Sequence, residues 1–231
     1  MTGSNVSAYA GFDRSDYPGI AVMAWLRAHT NLRWCGFYLA PAPSHPDKSW
    51  MGSRAELVAQ GWGLAPIYLG QEVTGPGGHF VTEGQGAIDG QQAAALMAAA
   101  GFSRGSCVYL DLENGPPMGM VQREYVAAWI DAVTAAGYAP GVYCSFMLAA
   151  QIAALRPSAR VWAFHVCTVS KHDVPGSTFP SPDPSTSGFA GADIWQLDDS
   201  AVIPCAAAPG GSLLVDLDSS NSADPSAASA S

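Results

Sequence analysis

Apolar positions along this chain recur with two periods, and the change from one to the other marks out the elements. Across residues 106–113, Val108, Leu110 and Leu112 fall on one parity and Tyr109, Asp111 and Glu113 on the other, which is the signature of a strand with an apolar face and an acid-bearing face. Side chains two apart on a strand sit about 6 to 7 Å from each other, so Asp111 and Glu113 point the same way as neighbours. Asn114, Gly115, Pro116 and Pro117 stop the strand and leave both acids at its carboxyl end. Further strands are predicted at residues 9–13, 34–40, 64–69, 138–145, 161–166, 192–197 and 213–218. Helical spacing predicts helices at 20–28, 54–60, 87–100, 121–136 and 146–155, with Gly61, Gly101 and Gly137 standing as stops.

Strands separated by helices predict an α/β fold, a single (β/α)8 TIM-like barrel over residues 1–218 with some helices short or missing in the C-terminal half. A doubly wound sheet is the alternative. It more often carries a glycine-rich phosphate turn after strand one, and here that turn is DRSDYPG. Residues 170–188 are dense in Pro, Ser, Thr and Asp and read as a functional or variable loop. Residues 219–231 are low in complexity and read as a disordered tail.

With 231 residues, 48% of them hydrophobic and 13% charged, the chain can bury a sizeable core. No apolar run approaches the roughly 18 residues of a membrane span. A formal net charge of -9 with no Lys/Arg cluster argues against a nucleic-acid partner. The N-terminus shows neither a basic nor an apolar signal region, so no secretory signal is expected and the location stays open between the cytoplasm and delivery by lysis or a dedicated machine. Five cysteines without C-x-x-C spacing, Cys35, Cys107, Cys144, Cys167 and Cys205, read as structural thiols.

An acid closing a strand before a turn is often only a solvated strand end. If the barrel closes, however, Asp13 from the first strand, Asp111 and Glu113 from the fourth and Asp216 from the eighth converge on one mouth. Carboxylates crowded into one cleft do not all ionise comfortably, and like charge with partial burial raises the pKa of at least one. That is how a general acid is made at neutral pH.

The run GFD near the start, then VYLDLE, GYAPGVYCS, VWAFHV, IWQLD and VDLDSSN resembles the family 25 glycoside hydrolases, the muramidase TIM barrels. It is closer still to a neighbouring glycoside-hydrolase-like domain family of unknown function. The resemblance covers residues 10–221 and implies cleavage of N-acetylated amino-sugar polymers such as peptidoglycan. It implies Glu113 as general acid and Asp111 as the group stabilising an intermediate formed by the sugar's own acetamido group, one of the exceptions to the two-carboxylate scheme. It also implies that Asp13 and Asp216 orient the sugar, that Tyr143, Trp195 and Gln196 line the cleft, and that no cofactor is needed. The alternative is a carbohydrate-binding or interaction domain on the same barrel, without turnover.

His165 ends the sixth strand and is either a sugar contact or a satisfied polar group at the mouth. The other histidines lack H-x-x-x-H spacing, and no D-x-D-x-D-G loop is present, so no metal is expected. Neither a phosphate-binding glycine loop nor a G-x-S-x-G elbow occurs.

Overall fold

The computed structural model describes residues 8–75, 77–166 and 168–227. The first half follows a strict strand–helix alternation: β1 (Tyr9–Asp13), α1 (Ile20–His29), β2 (Trp34–Tyr38), α2 (Arg54–Ala59), β3 (Gly63–Leu69), α3 (Glu83–Ala99), β4 (Cys107–Leu112), α4 (Met120–Ala135), β5 (Ala139–Ser145), α5 (Phe146–Leu155) and β6 (Arg160–Phe164). A two-residue strand, β7 (His172–Asp173), precedes the long β8 (Ile194–Pro204) and β9 (Ser212–Ser220). β1 to β6 lie side by side in parallel, β6 pairs parallel with β8, and β9 closes the ring between β8 and β1. The result is the closed α/β barrel expected from the sequence. β7 adds to the far half of β8, at Ala201 and Val202.

The C-terminal third departs from a uniform barrel in two ways. β9 runs antiparallel to both neighbours, so it enters at the mouth and descends. Among the described residues no α-helix lies between β6 and β8; the chain from 174 to 193 covers the outside of the barrel instead. Phe179 in it is buried, its backbone exchanges two hydrogen bonds with the Asn31 side chain at 2.8 Å each, and Pro182 O accepts a hydrogen bond from Ser219 Oγ at 2.6 Å.

Parity sorts the side chains into two layers. Outward-facing Phe12, Phe37, Val108, Leu110 and Val142 are buried beneath the helices. The barrel interior is filled by aromatic rings opposed by glycines. Trp162 meets Trp34, Tyr109 and Tyr143 edge-on, each at a ring-centroid distance of 5.6 Å. A Cβ at Gly11 would stand 2.1 Å from the Trp34 ring, and one at Gly141 would stand 2.4 Å from Tyr109, so only glycine leaves room for these rings.

α3 begins at Glu83, four residues before the predicted start, capped by Thr82, whose Oγ1 accepts from Gln85 N. Gly84, Gly86 and Gly90 lower helix propensity there. Packing accounts for two of them: a Cβ at Gly86 would lie 2.2 Å from Tyr125 O, and one at Gly90 would lie 2.6 Å from Trp129 O, both on α4.

The tail read as disordered is ordered through residue 227; residues 228–231 lie outside the described residues, as does Cys167. After β9, residues 221–227 fold under the amino-terminal ends of the strands. Asp224 Oδ1 accepts from Leu64 N at 3.0 Å, Ser226 N at 3.2 Å and Ser226 Oγ at 2.8 Å. Ser226 N donates to Leu64 O, and Ser226 O accepts from Cys107 N. The Arg160 guanidinium donates to Pro225 O at 3.0 Å and Ala227 O at 2.8 Å. The sequence signal failed because small polar residues such as these hold their place through backbone hydrogen bonds, which composition does not register. Cys35, Cys107, Cys144 and Cys205 are buried free thiols.

Removing the Asp224 acceptor leaves the Leu64 N–H without its partner at the barrel floor. Asp224→Ala is expected to lower stability by about 1 to 2 kcal/mol, read as a lower urea midpoint at unchanged slope. A midpoint equal to that of the wild type would show that the floor does not depend on this clamp.

Candidate functional site

The register of the barrel brings its acids to one level. Asp13 on β1 stands opposite Asp216 on β9, and one step deeper Gly11 stands opposite Asp218. Asp111 on β4 neighbours Tyr143 on β5, Tyr143 neighbours Trp162 on β6, and Gln196 on β8 pairs with Asp218. Asp13, Tyr38, Asp111, Glu113 and Asp216 line an open cleft of about 320 Å³, whose rim adds Arg14, Asp199 and Ser200. Beneath it a recess of about 50 Å³ is bounded by the same acids together with Ile67, Tyr143 and Trp162. All four acids expected from the sequence therefore meet in one hollow.

Their surroundings differ. Asp13 is buried, and its Oδ1 accepts from Tyr38 Oη at 2.6 Å. Asp218 is buried one step deeper, where Oδ1 accepts from Trp162 Nε1 at 3.1 Å and the carboxyl faces that of Asp13. Asp216 is half-buried, and its Oδ1 accepts from Ser200 N at 2.8 Å. That contact is made by a residue in the left-handed region, Ser200 at φ 61°, inside the irregular stretch of β8 where the pairing with β9 shifts register. Asp111 is buried with Oδ1 unpartnered, whereas Glu113, one position past the end of β4, is exposed.

Burial is the leading cause of the charge state here. It pushes Asp13 up to about 6 against the opposing Tyr38 and Asp218 hydrogen bonds, and Asp216 up to about 8 with the charge of Asp13 adding to it. Asp111 is raised by burial and then by Glu113, Glu72 and Asp13. Asp218 is raised by burial and then by Asp13 and Asp216. Arg14 is the one basic side chain among the described residues lining the cleft, and its guanidinium is engaged by Asp16 at 2.6 Å and Leu214 O at 2.9 Å. Asp111, Asp216 and Asp218 are thus pushed toward the protonated form.

Tyr143 lines the recess and donates its hydroxyl to the side-chain oxygen of Gln196, so these two expected residues belong to the site. Trp195 and His165 do not line the cleft. Trp195 has the opposite parity to the inward Gln196, pairs with the outward Ser219, and donates its Nε1 to His165 O at 3.0 Å. The His165 ring is stacked on Phe146 at 3.8 Å, and its Nδ1 contacts Ser187 O. Both corrections have one reason: strand parity at Gln196 turns its neighbour outward, and β6 ends at Phe164, before His165.

Sequence reasoning missed Tyr38, Trp162, Asp218 and Glu72. Tyr38 shares the parity of Trp34 and Gly36, and Asp218 lies two residues after Asp216, so period two alone would have found both. Glu72 lies beyond β3 in a loop with no period to read. Among the described residues, no group of three or more His, Cys, Asp or Glu side chains is arranged to hold a metal ion. Nor is any described helix long and apolar enough to cross a membrane.

Residues 24–199 match the family model described as Rv2525c-like, glycoside hydrolase-like domain. The chain belongs to that family. No curated protein matches it. Among solved structures, the barrel is similar to a bacterial lysozyme from Streptomyces coelicolor, with a TM-score of 0.60 at 16% identity over 94% of this chain and 93% of that one. It is also similar to a family 25 glycosyl hydrolase from Bacillus anthracis, with a TM-score of 0.56 at 12% identity over 92% and 88%. The Tat-secreted protein Rv2525c of Mycobacterium tuberculosis gives 0.58 at 14% over 97% and 98%. At these identities the likeness establishes a shared glycoside-hydrolase-like fold.

The acid cluster of this family member carries a pH signature. Each raised carboxyl binds a proton in the folded chain that the unfolded chain, near 3.8, has already released, so stability falls as pH rises from about 4 to about 8. Asp218→Asn keeps the Oδ1 acceptor and removes the charge. Its stability is expected to match the wild type near about pH 4 and to exceed it near about pH 8, measured by denaturant melts at both. An advantage independent of pH would show that Asp218 is not held neutral by burial.

Proposed function

We propose that this protein is a retaining glycoside hydrolase acting on polymers of N-acetylated amino sugars, peptidoglycan first among them. The observation that carries this reading is the pairing of two unlike acids on one strand end. Exposed Glu113 stands over the open cleft, and two residues before it Asp111 is buried with an acceptor oxygen that no protein group satisfies. An unsatisfied buried acceptor is costly, and a substrate N–H removes that cost.

In this reading a sugar ring occupies the cleft, whose volume of about 320 Å³ falls at the small end of ligand sites. Glu113 gives its proton to the glycosidic oxygen as the bond from that oxygen to the anomeric carbon breaks. The acetamido carbonyl oxygen of the same sugar bonds to the anomeric carbon from the opposite face, while Asp111 Oδ1 accepts the acetamido N–H and holds that group in place. Water, deprotonated by the Glu113 carboxylate, then opens the intermediate with net retention. Asp13 and Asp216 flank the ring and take its hydroxyls, and Tyr143, held by Gln196, presents an aromatic wall at the recess. The family resemblance and the lysozyme-like fold support the assignment.

Turbidity of purified cell walls checks it. The wild type is expected to clear them, and Glu113→Gln to be slower by about 10² to 10⁴-fold, the usual contribution of a general acid. Asp111→Asn is expected to slow clearing while leaving glycan pull-down intact. Equal clearing by wild type and Glu113→Gln would remove Glu113 from its role. Retention of insoluble glycan without release of reducing ends by the wild type would replace hydrolysis with binding.

A further inference from the structure

The irregular stretch of β8 stands directly opposite Asp216. Asp198 pairs with Leu217 and Ala201 with Val215, so two residues of β8, Asp199 and Ser200, face the single residue Asp216 on β9. Both line the rim of the cleft. Ser200 places its N–H 2.8 Å from Asp216 Oδ1 only by taking φ 61°, a conformation serine seldom adopts, and its Oγ donates to Asp199 Oδ1 at 2.7 Å. A backbone held in this way persists where its surroundings fix both ends.

One residue touches both ends. The backbone of His172 on β7 pairs with Ala201, the residue after the bulge, and its ring Nε2 lies 2.9 Å from Oδ2 of Asp198, the residue before it. The other ring nitrogen, Nδ1, lies 2.8 Å from Ser170 O. A carbonyl oxygen and a carboxylate only accept, so each ring nitrogen needs its own proton to make these contacts. The ring that fits between them is imidazolium. Asp198 from β8 and Asp173 from β7 itself are the charged groups facing it; the Ser170 carbonyl, and after it Asp198, hold its pKa above the ordinary 6.5.

We propose that His172 is a positioning residue for Asp216: as imidazolium it staples both ends of the β8 bulge and so keeps the Ser200 N–H on the Asp216 carboxyl. Its consequence for turnover rests on the hydrolase reading, in which Asp216 takes sugar hydroxyls; the staple itself does not. Loss of the proton leaves two acceptors facing a ring with a single N–H, and one of the two contacts is given up. The folded ring holds its proton more tightly than the unfolded one. The staple is therefore complete below about pH 6.5 and is lost as pH rises through the raised midpoint.

NMR of isotope-labelled protein reads the staple without turnover. The chain has five histidines, His29, His45, His79, His165 and His172, and His172→Gln identifies the ring of interest by its disappearance. The His172 midpoint is expected above 6.5, and lower by roughly half a pH unit or more in Asp198→Asn. In the wild type the Ser200 amide is expected to move in step with that midpoint. Glutamine donates but does not titrate, so His172→Gln removes this step and leaves the one that Asp216 makes at about 8. His172→Ala keeps the backbone pairing, drops the side-chain contact, and is expected to shift the Ser200 amide toward its unbonded position at about pH 5. A Ser200 amide with the same pH response in the wild type and both variants overturns the proposal.

Cell-wall clearing carries the effect to the reaction. At about pH 5 the wall concentration giving half the maximal rate is expected to be about 3-fold or more higher for His172→Ala than for the wild type, with the maximal rate within about 2-fold, the mark of lost binding. Equal half-maximal concentrations overturn the positioning role. A wild type that clears nothing while its Ser200 amide still follows His172 sinks the hydrolase reading and leaves the staple standing; a wild type that clears walls with a Ser200 amide indifferent to His172 does the reverse.

Discussion

The structure depends on burying several carboxyls of one sign inside a closed ring of strands that offers them few donors. Tyr38 Oη serves Asp13, Trp162 Nε1 serves Asp218 and Ser200 N serves Asp216, while Asp111 Oδ1 is left without a partner. Such an arrangement persists only if the rest of the molecule over-determines it. The interlocked rings of Trp34, Tyr109, Tyr143 and Trp162 supply that determination: they close the barrel beneath the acids, and burial above them disfavours the charged form of the carboxyls. Charge state, recess shape and interior packing are one constraint seen from three sides.

The glycines of the strands make that floor possible. Gly11 and Gly141 yield their side-chain space to Trp34 and Tyr109, and a Cβ at Gly36 would meet Asp13 Cβ at 2.6 Å. The large rings and the acids are thus packed by the absence of neighbours as much as by their presence. In sequence these glycines resemble weak points of strands; in the barrel they give the rings and acids their room.

Period two in the strands and period 3.6 in the helices were enough to predict the barrel, its strand order through β6 and the meeting of Asp13, Asp111, Glu113 and Asp216, because parity and chain order determine which side chains face one mouth. What eluded that reasoning depends on direction or on contacts without periodicity. The reversal of β9 leaves no mark in LLVDLD, which reads the same for a parallel or an antiparallel strand. The residues after it, poor in apolar groups, are held by Asp224 and by backbone atoms at the ends of β3, β4 and β6. Glu72 sits in a glycine-rich loop whose place is set by Tyr125 and Asn114, far away in sequence.

The reversal of β9 joins the two ends of the barrel. A parallel strand would finish at the mouth, with the chain leaving into solvent. An antiparallel strand passes the mouth first, delivering Asp216 opposite Asp13 and then Asp218 one step deeper, and finishes at Ser220 beside the barrel floor. The chain is then already in position to clamp Leu64, Cys107 and Arg160 from below. One strand therefore supplies two acids at different depths, one half-exposed in the cleft and one sealed against Trp162, and the same strand is tethered to three others at the opposite end. Fixing the foot of the strand that carries two of them is how a ring so poor in donors keeps its acids in register.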